Sequence, residues 1–497
     1  MDLDVFEQRA RAASVVPVFR FVSVPAGVRA LPAALVAKGS AFLLESADTT
    51  EGWETGGLAL LGFRPRGVWR AWGHRVEVVD RGVTTVTTEE RPLASLFARL
   101  GQRPPLPGLP MRPRFTGGAV GYLGWGAVRW FEPKVPVREG PDPLFPDAEL
   151  LLVDDVVALD WRGGSVLLVV NVEPARFADS KSAFAAAQER LDVLARDLQD
   201  TATELREDGE ATRVGEEHDA WGGPGFESAV SQVLAHLHAG DCMQTVLSRR
   251  LTASFAGEPL DLYERLRQAS PVPYHFLVRF EDGDAPRRAV LGASPELLVR
   301  VQDGKVTVRP IAGTRPRGTT PEEDARLEAE LRADPKERAE HVMLVDLGRN
   351  DVGRVARPGS VVIEEREVIQ RFSHVMHLIS QVSGMLREGL TAYDALAAAF
   401  PAGTVSGAPK VRAMEIIDAL EPVPRGPYGG AVGTVCYDGN IVMAIHLRSL
   451  ALAGQELRLQ AGAGIVFDSV PSHELAETEA KLAGVRASLS GERWRRW

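Results

Sequence analysis

Two segments of this chain place glutamates one helical turn apart: Asp334-Pro-Lys-Glu337-Arg-Ala-Glu340-His341 and Glu474-Leu-Ala-Glu477-Thr-Glu-Ala-Lys481. Positions i and i+3 share a face of an α-helix, so each segment offers a ledge of two carboxylates. Two ledges facing each other across a cleft would suit Mg²⁺, a hard cation that takes oxygen ligands and keeps waters a substrate can replace. Each ledge also has an ordinary reading. Asp334, Pro335 and Glu337 form a helix-start signature, and Glu477 with Lys481 is an i,i+4 ion pair. The company they keep favours chemistry. Between them lie Pro310-Ile-Ala-Gly-Thr-Arg-Pro-Arg317, Pro401-Ala-Gly-Thr-Val-Ser-Gly-Ala-Pro-Lys410 and Ala461-Gly-Ala-Gly464, glycine-rich and cationic stretches fit for a small anion.

Other chemistries are disfavoured. Gly403-Thr-Val-Ser-Gly407-Ala-Pro-Lys410 lacks the spacing of a nucleotide phosphate loop, and valine stands where a Mg²⁺-binding hydroxyl belongs. It reads equally as a helix-capping turn or as a cradle of backbone amides for an anion. Ser373-His374-Val-Met-His377 has no third histidine or HExxH pattern, so zinc is not expected, and a histidine among Val, Met and Leu is ordinarily a core residue. Neither Cys242 nor Cys436 sits in a nucleophile elbow.

The elements that must position these residues follow from patterning. Up to residue 171 the chain reads mainly as strands, among them 41–46, 76–79, 150–157 and 166–171, followed by an amphipathic helix over 181–199. Residues 200–225 are polar and acidic and read as a linker. Helices are then predicted at 226–239, 259–269, 321–332, 335–347, 391–400, 410–420 and 472–483. Strands are predicted at 242–250, 273–280, 296–302, 305–310, 360–370, 430–437, 441–450 and 456–461. Many strands follow one another directly, which predicts an antiparallel α+β arrangement. The expected organisation is a strand-rich region over 1–215 and a catalytic region over 216–497.

Composition limits the partners. The chain has 497 residues, a net charge of −10 and no dense basic block, so nucleic acid is not an expected partner. Two cysteines exclude a disulfide framework and suit a reducing compartment. With no signal peptide and no apolar run long enough to span a bilayer, a cytoplasmic protein without membrane contact is expected.

Together the motifs resemble the chorismate-utilising enzymes, and most closely anthranilate synthase component I. The resemblance rests on Ala293-Ser-Pro-Glu-Leu-Leu298, Pro310 to Gly318, Glu340-His-Val-Met-Leu-Val-Asp-Leu-Gly-Arg-Asn-Asp351, Pro401 to Glu415, Tyr428-Gly-Gly430 and Ala461 to Val466, with weaker matches at Leu43-Leu-Glu-Ser46 and Gly117 to Leu123. It implies two antiparallel sheets packed face to face with outer helices, threaded by both halves of the chain. It also implies roles: Glu337, Glu340, Glu474 and Glu477 for Mg²⁺ on the ring carboxylate of chorismate, with Glu340 and Glu477 as direct ligands. Tyr428, Arg448 and the Ala461, Gly462, Ala463, Gly464 backbone, with Lys481 nearby, would clamp the enolpyruvyl carboxylate. Gly313, Thr314, Thr404 and His377 would line the ring, and Glu296 would protonate the departing 4-hydroxyl, which needs a pKa raised by burial.

Two positions select among relatives. Those that add water carry a lysine base where this chain has Gln244, and a neutral amide cannot take a proton from water. Many aminodeoxychorismate synthases carry a nucleophilic lysine where this chain has Ala312. Both point to direct amination at C2, hence to the large subunit of an anthranilate synthase, a lyase opening tryptophan biosynthesis. A 2-amino-2-deoxyisochorismate synthase, an aminodeoxychorismate synthase and a non-catalytic chorismate-binding subunit are the alternatives. With no amidotransferase domain before Trp497 and no cysteine nucleophile, ammonia is expected from a separate glutamine amidotransferase subunit, in a heterodimer or heterotetramer. The resemblance further implies a tryptophan inhibitor site at Glu45, Ser46, Pro273, Tyr274 and His275. Departures at Ser270-Pro-Val272 and at Gly57-Leu-Ala-Leu60 predict a weakened inhibitor site, while Val442-Met443, where an Asp-Thr pair usually precedes the clamp arginine, is the departure that makes a non-catalytic subunit thinkable.

Overall fold

The computed structural model describes residues 1–46, 57–100, 113–135, 142, 144–203, 212–270, 272–281, 287–371 and 375–490. Two antiparallel sheets, of thirteen and twelve strands among the described residues, lie face to face. Phe42, Leu44 and Phe276 of the first meet Val120, Val432 and Val442 of the second in a shared core. On the first sheet's outer face, Leu191, Leu266 and Leu482 form another core under the helices Ser180–Thr203, Pro259–Ala269 and Pro471–Ser490. On the second sheet's outer face, Val345 and Leu396 pack from the helices Pro335–Val355 and Ala392–Ala399. A strand covered on both faces has no solvent side, so neighbours such as Phe42 and Leu43 are both apolar and serve different cores.

Strands from before and after residue 215 share both sheets. Ser40–Glu45 pairs with Tyr274–Phe280 in the first, and Gly118–Leu123 with Ala431–Cys436 in the second. Arg213–Val214 and His218–Asp219, at the end of the expected linker, pair with the edge of Gln244–Ala256.

Several elements differ from expectation for identifiable reasons. The apolar run 150–157 is two strands: Ala148–Val153 belongs to the second sheet and Asp155–Asp160 to the first, with the turn at Asp154. The run 441–450 divides likewise into Ile441–Ile445 and Ser449–Ala453, crossing between sheets at His446-Leu-Arg448. Arg288–Ser294, Ile311–Pro316 and Val375–Met385 are further strands that patterning did not single out. The helix from Pro335 runs on to Val355, past Gly348 where it was expected to stop; a Cβ at Gly348 would lie 3.1 Å from Val308, so glycine there marks close packing on the sheet and not a helix end.

Candidate active site

The crossing between sheets sets the first part of the site. Glu296 immediately precedes the strand Leu297–Gln302, and its carbonyl accepts from the amide of Ile445 at 3.0 Å. This brings Glu296 beside the crossover that carries Arg448, whose φ of 47° is a left-handed conformation unusual for a non-glycine residue. Glu296 is buried, and its Oε1 accepts from Thr404 Oγ1 at 3.0 Å. Burial pushes its carboxyl up to about 8, against the opposing influence of the Thr404 hydroxyl and the charges of Arg448 and Lys481. Among the described residues no cation lies within ion-pair distance of Glu296, so it is protonated at neutral pH.

His377 enters from the neighbouring strand pair. Ile311–Pro316 and Val375–Met385 pair with a register shift between Ala312 and Thr314, where Gly313 takes a φ of 63°. The bulge makes Thr314 the cross-strand neighbour of His377. His377 Nδ1 lies 3.0 Å from Thr314 Oγ1 and 3.2 Å from the carbonyl of Gly313. Burial, reinforced by the charge of Arg448, lowers the imidazole to about 4. It is therefore neutral at physiological pH.

The floor is the strand Glu456–Ile465, paired with Gln244–Ala256 so that Gly462 lies opposite Ser248 and Gly464 opposite Val246. A Cβ at Gly462 would come 3.0 Å from the hydroxyl of Tyr428, and one at Gly464 would come 2.9 Å from Nε2 of Gln244. Gly464 is closed over by the Gln244 side chain, and Gly462 by the Leu247 carbonyl, 2.9 Å from such a Cβ, together with the Tyr428 hydroxyl, so neither position has room for a side chain. Lys481 donates to the carbonyl of Gly462 at 2.8 Å and pairs with Glu477 at 2.7 Å. Ala461 and Ala463 alternate to the opposite face, with Ala461 in the helix-side core, so only their backbone can serve this floor.

The two carboxylate ledges come together. Gln244 Nε2 lies 3.5 Å from Glu340 Oε1. The carboxyl of Glu340 is raised first by burial and then by the charges of Glu337 and Glu477, one from each ledge. Glu474 is raised by burial and by Glu477, and its buried Oε2 has no hydrogen-bond partner. Glu337 differs, since Arg315 binds it at 3.0 Å and binds the helix-capping Asp334 at 2.7 Å. Among the described residues no three His, Cys, Asp or Glu groups converge as a complete metal cage. Mg²⁺ does not require one, since it usually takes one or two carboxylates and completes its shell with water and substrate oxygens. Crowded, raised carboxylates with an orphaned buried oxygen fit a divalent cation.

Other expected residues lie elsewhere. Lys410 is half-buried and pairs with Asp351 at 3.3 Å, so it braces its loop. Val442 packs between the sheets and Met443 in the outer core, so their apolar character leaves no polar gap in the site. Glu45, Ser46, Pro273, Tyr274 and His275 gather at the seam Ser40–Glu45 with Tyr274–Phe280, where Glu45 pairs with His275 in register. There Glu45 is bound by Arg267 at 2.5 Å and by the Tyr263 hydroxyl at 2.6 Å, while His275 Nε2 lies 2.6 Å from the carbonyl of Ser270 and burial lowers its imidazole to about 4. Ser373 and His374 lie outside the described residues. Sequence reasoning missed Arg315, and it missed the buried pair Glu421–Arg425 behind the floor. The i,i+4 spacing of that pair, three residues ahead of Tyr428, was the available signal.

Face-to-face antiparallel sheets with a carboxylate-lined cleft at their crossover frame the candidate site. Residues 41–487 match the family described as chorismate binding enzyme, and the chain belongs to that family. It is 46% identical over 444 residues to anthranilate synthase component 1 of Pseudomonas putida, spanning 88% of each chain. It is 45% identical over 419 residues to that of Streptomyces coelicolor, spanning 82% of this chain and 80% of the relative. Among solved structures it is similar to anthranilate synthase component I from Streptococcus pneumoniae, with a TM-score of 0.75 and 33% identity over 86% of this chain and 92% of that one. The menaquinone-specific isochorismate synthase of Escherichia coli shares the fold, with a TM-score of 0.69 and 19% identity over 98% of both chains.

Proposed function

We propose that this chain is an anthranilate synthase component 1, converting chorismate and ammonia into anthranilate, pyruvate and water. The observation that carries the reading is Glu296, a buried carboxyl held protonated near neutral pH within the fields of Arg448 and Lys481. Such a group donates its proton to the 4-hydroxyl as that hydroxyl leaves as water. Ammonia forms the new bond at C2, and the electron pair of the diene shifts toward C4 as the C4–O bond breaks. Gln244 favours ammonia over water, because a neutral amide does not deprotonate water. In the second step neutral His377 accepts the C2 proton, the enolpyruvyl C–O bond breaks, and pyruvate leaves as the ring becomes aromatic. Arg448 and Tyr428, over the bare floor of Gly462 and Gly464, hold the enolpyruvyl carboxylate. Glu340 and Glu477, flanked by Glu337 and Glu474, would hold Mg²⁺. When bound, that ion supplies positive charge for the ring carboxylate.

Both cysteines are buried, Cys242 beside Thr245 at 3.3 Å, which supports delivery of ammonia by a separate glutamine amidotransferase subunit. At the seam, a tryptophan ammonium would have to displace Arg267 from Glu45, which supports a weakened inhibitor site. Incubation of the purified chain with chorismate, Mg²⁺ and an ammonium salt tests the reading. Fluorescent anthranilate and an equal yield of pyruvate are expected. An aminated non-aromatic product, or no turnover, would contradict it.

A further inference from the structure

Behind the floor of the cleft, Arg425 is 3% exposed and makes four hydrogen bonds. Two go to Glu421, from Nε at 2.9 Å and from Nη2 at 2.6 Å. The others go to backbone carbonyls far apart in sequence, from Nη1 to Val405 at 2.7 Å and from Nη2 to Val246 at 2.6 Å. Glu421 Oε1 in turn accepts from both the amide and the hydroxyl of Ser248 at 2.8 Å. The guanidinium also lies 4.1 Å from the ring centroid of Trp125 and 6.0 Å from that of Tyr428.

Each contact leads to a part of the cleft. Val405 follows Thr404, the hydroxyl that meets Glu296. Val246 lies opposite Gly464 in the floor, and Ser248 opposite Gly462. Tyr428 closes over Gly462. A planar guanidinium presents its donors in a fixed fork, so several partners set its orientation and it sets theirs. Resting on the function proposed above, we propose that Arg425 is a positioning residue that locks the Thr404 turn, the cleft floor and Tyr428 into one frame. It touches no reacting atom and acts through Thr404 on the proton donor and through Tyr428 on carboxylate binding.

Arg425→Lys keeps a positive charge beside Glu421 but cannot hold both carbonyls at once. In the full chain, assayed with chorismate, Mg²⁺ and ammonium salt, it is expected to retain a cooperative unfolding transition. Its kcat should fall by about tenfold and its KM for chorismate should rise by a similar factor, the scale of a lost charged hydrogen bond. Because the kcat effect passes through Thr404, adding Arg425→Lys to Thr404→Val should lower kcat by less than about threefold further, while KM still rises. Unchanged kinetics, or a kcat loss that multiplies fully with that of Thr404→Val, would overturn the proposal. If Arg425→Lys does not fold, the pair Glu421→Gln with Arg425→Gln, which buries no lone charge, carries the same expectation. Should the unaltered chain make no anthranilate, the functional reading fails by itself, and amide hydrogen exchange still decides on Arg425. Segments 243–248 and 402–408 should then exchange faster in Arg425→Lys than in the unaltered chain, and equal exchange would show that Arg425 ties nothing together.

Discussion

Glu296, just ahead of the strand Leu297–Gln302, and Glu45, at the end of the strand Ser40–Glu45, are both buried glutamates, and they have opposite surroundings. Glu45 is 2% exposed and is bound by Arg267 and by the Tyr263 hydroxyl. Glu296, 8% exposed, has one neutral hydroxyl at hydrogen-bond distance and feels Arg448 and Lys481 only through space. Desolvation therefore dominates at Glu296, and the carboxyl keeps its proton. At Glu45 a direct cation satisfies the charge. A buried carboxylate with a partner holds structure together, and one without a partner is available for proton transfer.

Glu296→Gln should show the largest effect. It keeps the shape and loses the proton donor, so kcat should fall by about 10²- to 10⁴-fold in the ammonia-dependent assay. The same substitution should not destabilise the fold in alkali. With a folded-state pKa raised to about 8, the carboxyl favours folding fully below its ordinary range, and that contribution is lost as pH rises through about 8. Glu296→Gln should therefore be the more stable protein at pH 9, by up to ~4 kcal/mol in urea unfolding. Equal stability at both pH 5 and pH 9 would remove the argument from burial.

Glu45→Ala should produce the reverse pattern. It strands Arg267 and Tyr263, and breaking a buried pair costs about 3–5 kcal/mol, somewhat less here because Arg267 keeps partial contact with solvent. The melting temperature should drop while kcat per folded molecule stays near that of the unaltered chain. A large kcat loss without loss of stability would mean that the seam acts on the cleft. The smallest effect is expected from tryptophan itself. Losing a hydrogen bond to a charged group weakens binding by roughly ten- to a hundredfold. Half-inhibition of the initial rate should therefore need more than low micromolar tryptophan, and inhibition at low micromolar would show that Arg267 yields readily.

The contrast between these two glutamates was only partly legible in the sequence. The four ledge carboxylates announce themselves because i, i+3 spacing on a helix fixes a shared face. The α+β class follows from strands in direct succession. Glu296 was reached only through the resemblance carried by Ala293–Leu298, and its protonation depends on a crossover strand and a turn more than a hundred residues later. The runs 150–157 and 441–450 look like single strands because apolar residues continue across the passage from one sheet to the other, with Asp154-Asp155 and His446-Leu-Arg448 as the local marks. Arg425 was only half legible: its i,i+4 spacing from Glu421 was there to read, but two of its partners are backbone carbonyls, which leave no trace in residue type.

The most direct test of the account is the pH dependence of anthranilate formation at saturating chorismate and a fixed concentration of free ammonia. With Glu296 as the proton donor, kcat should hold steady up to about pH 8 and then fall about tenfold per unit as the carboxyl ionises. In Thr404→Val, which removes a hydrogen bond that favours the ionised form, the descending limb should move to higher pH. A kcat that stays level from pH 7 to well above 9 would contradict the assignment of Glu296 as the acid.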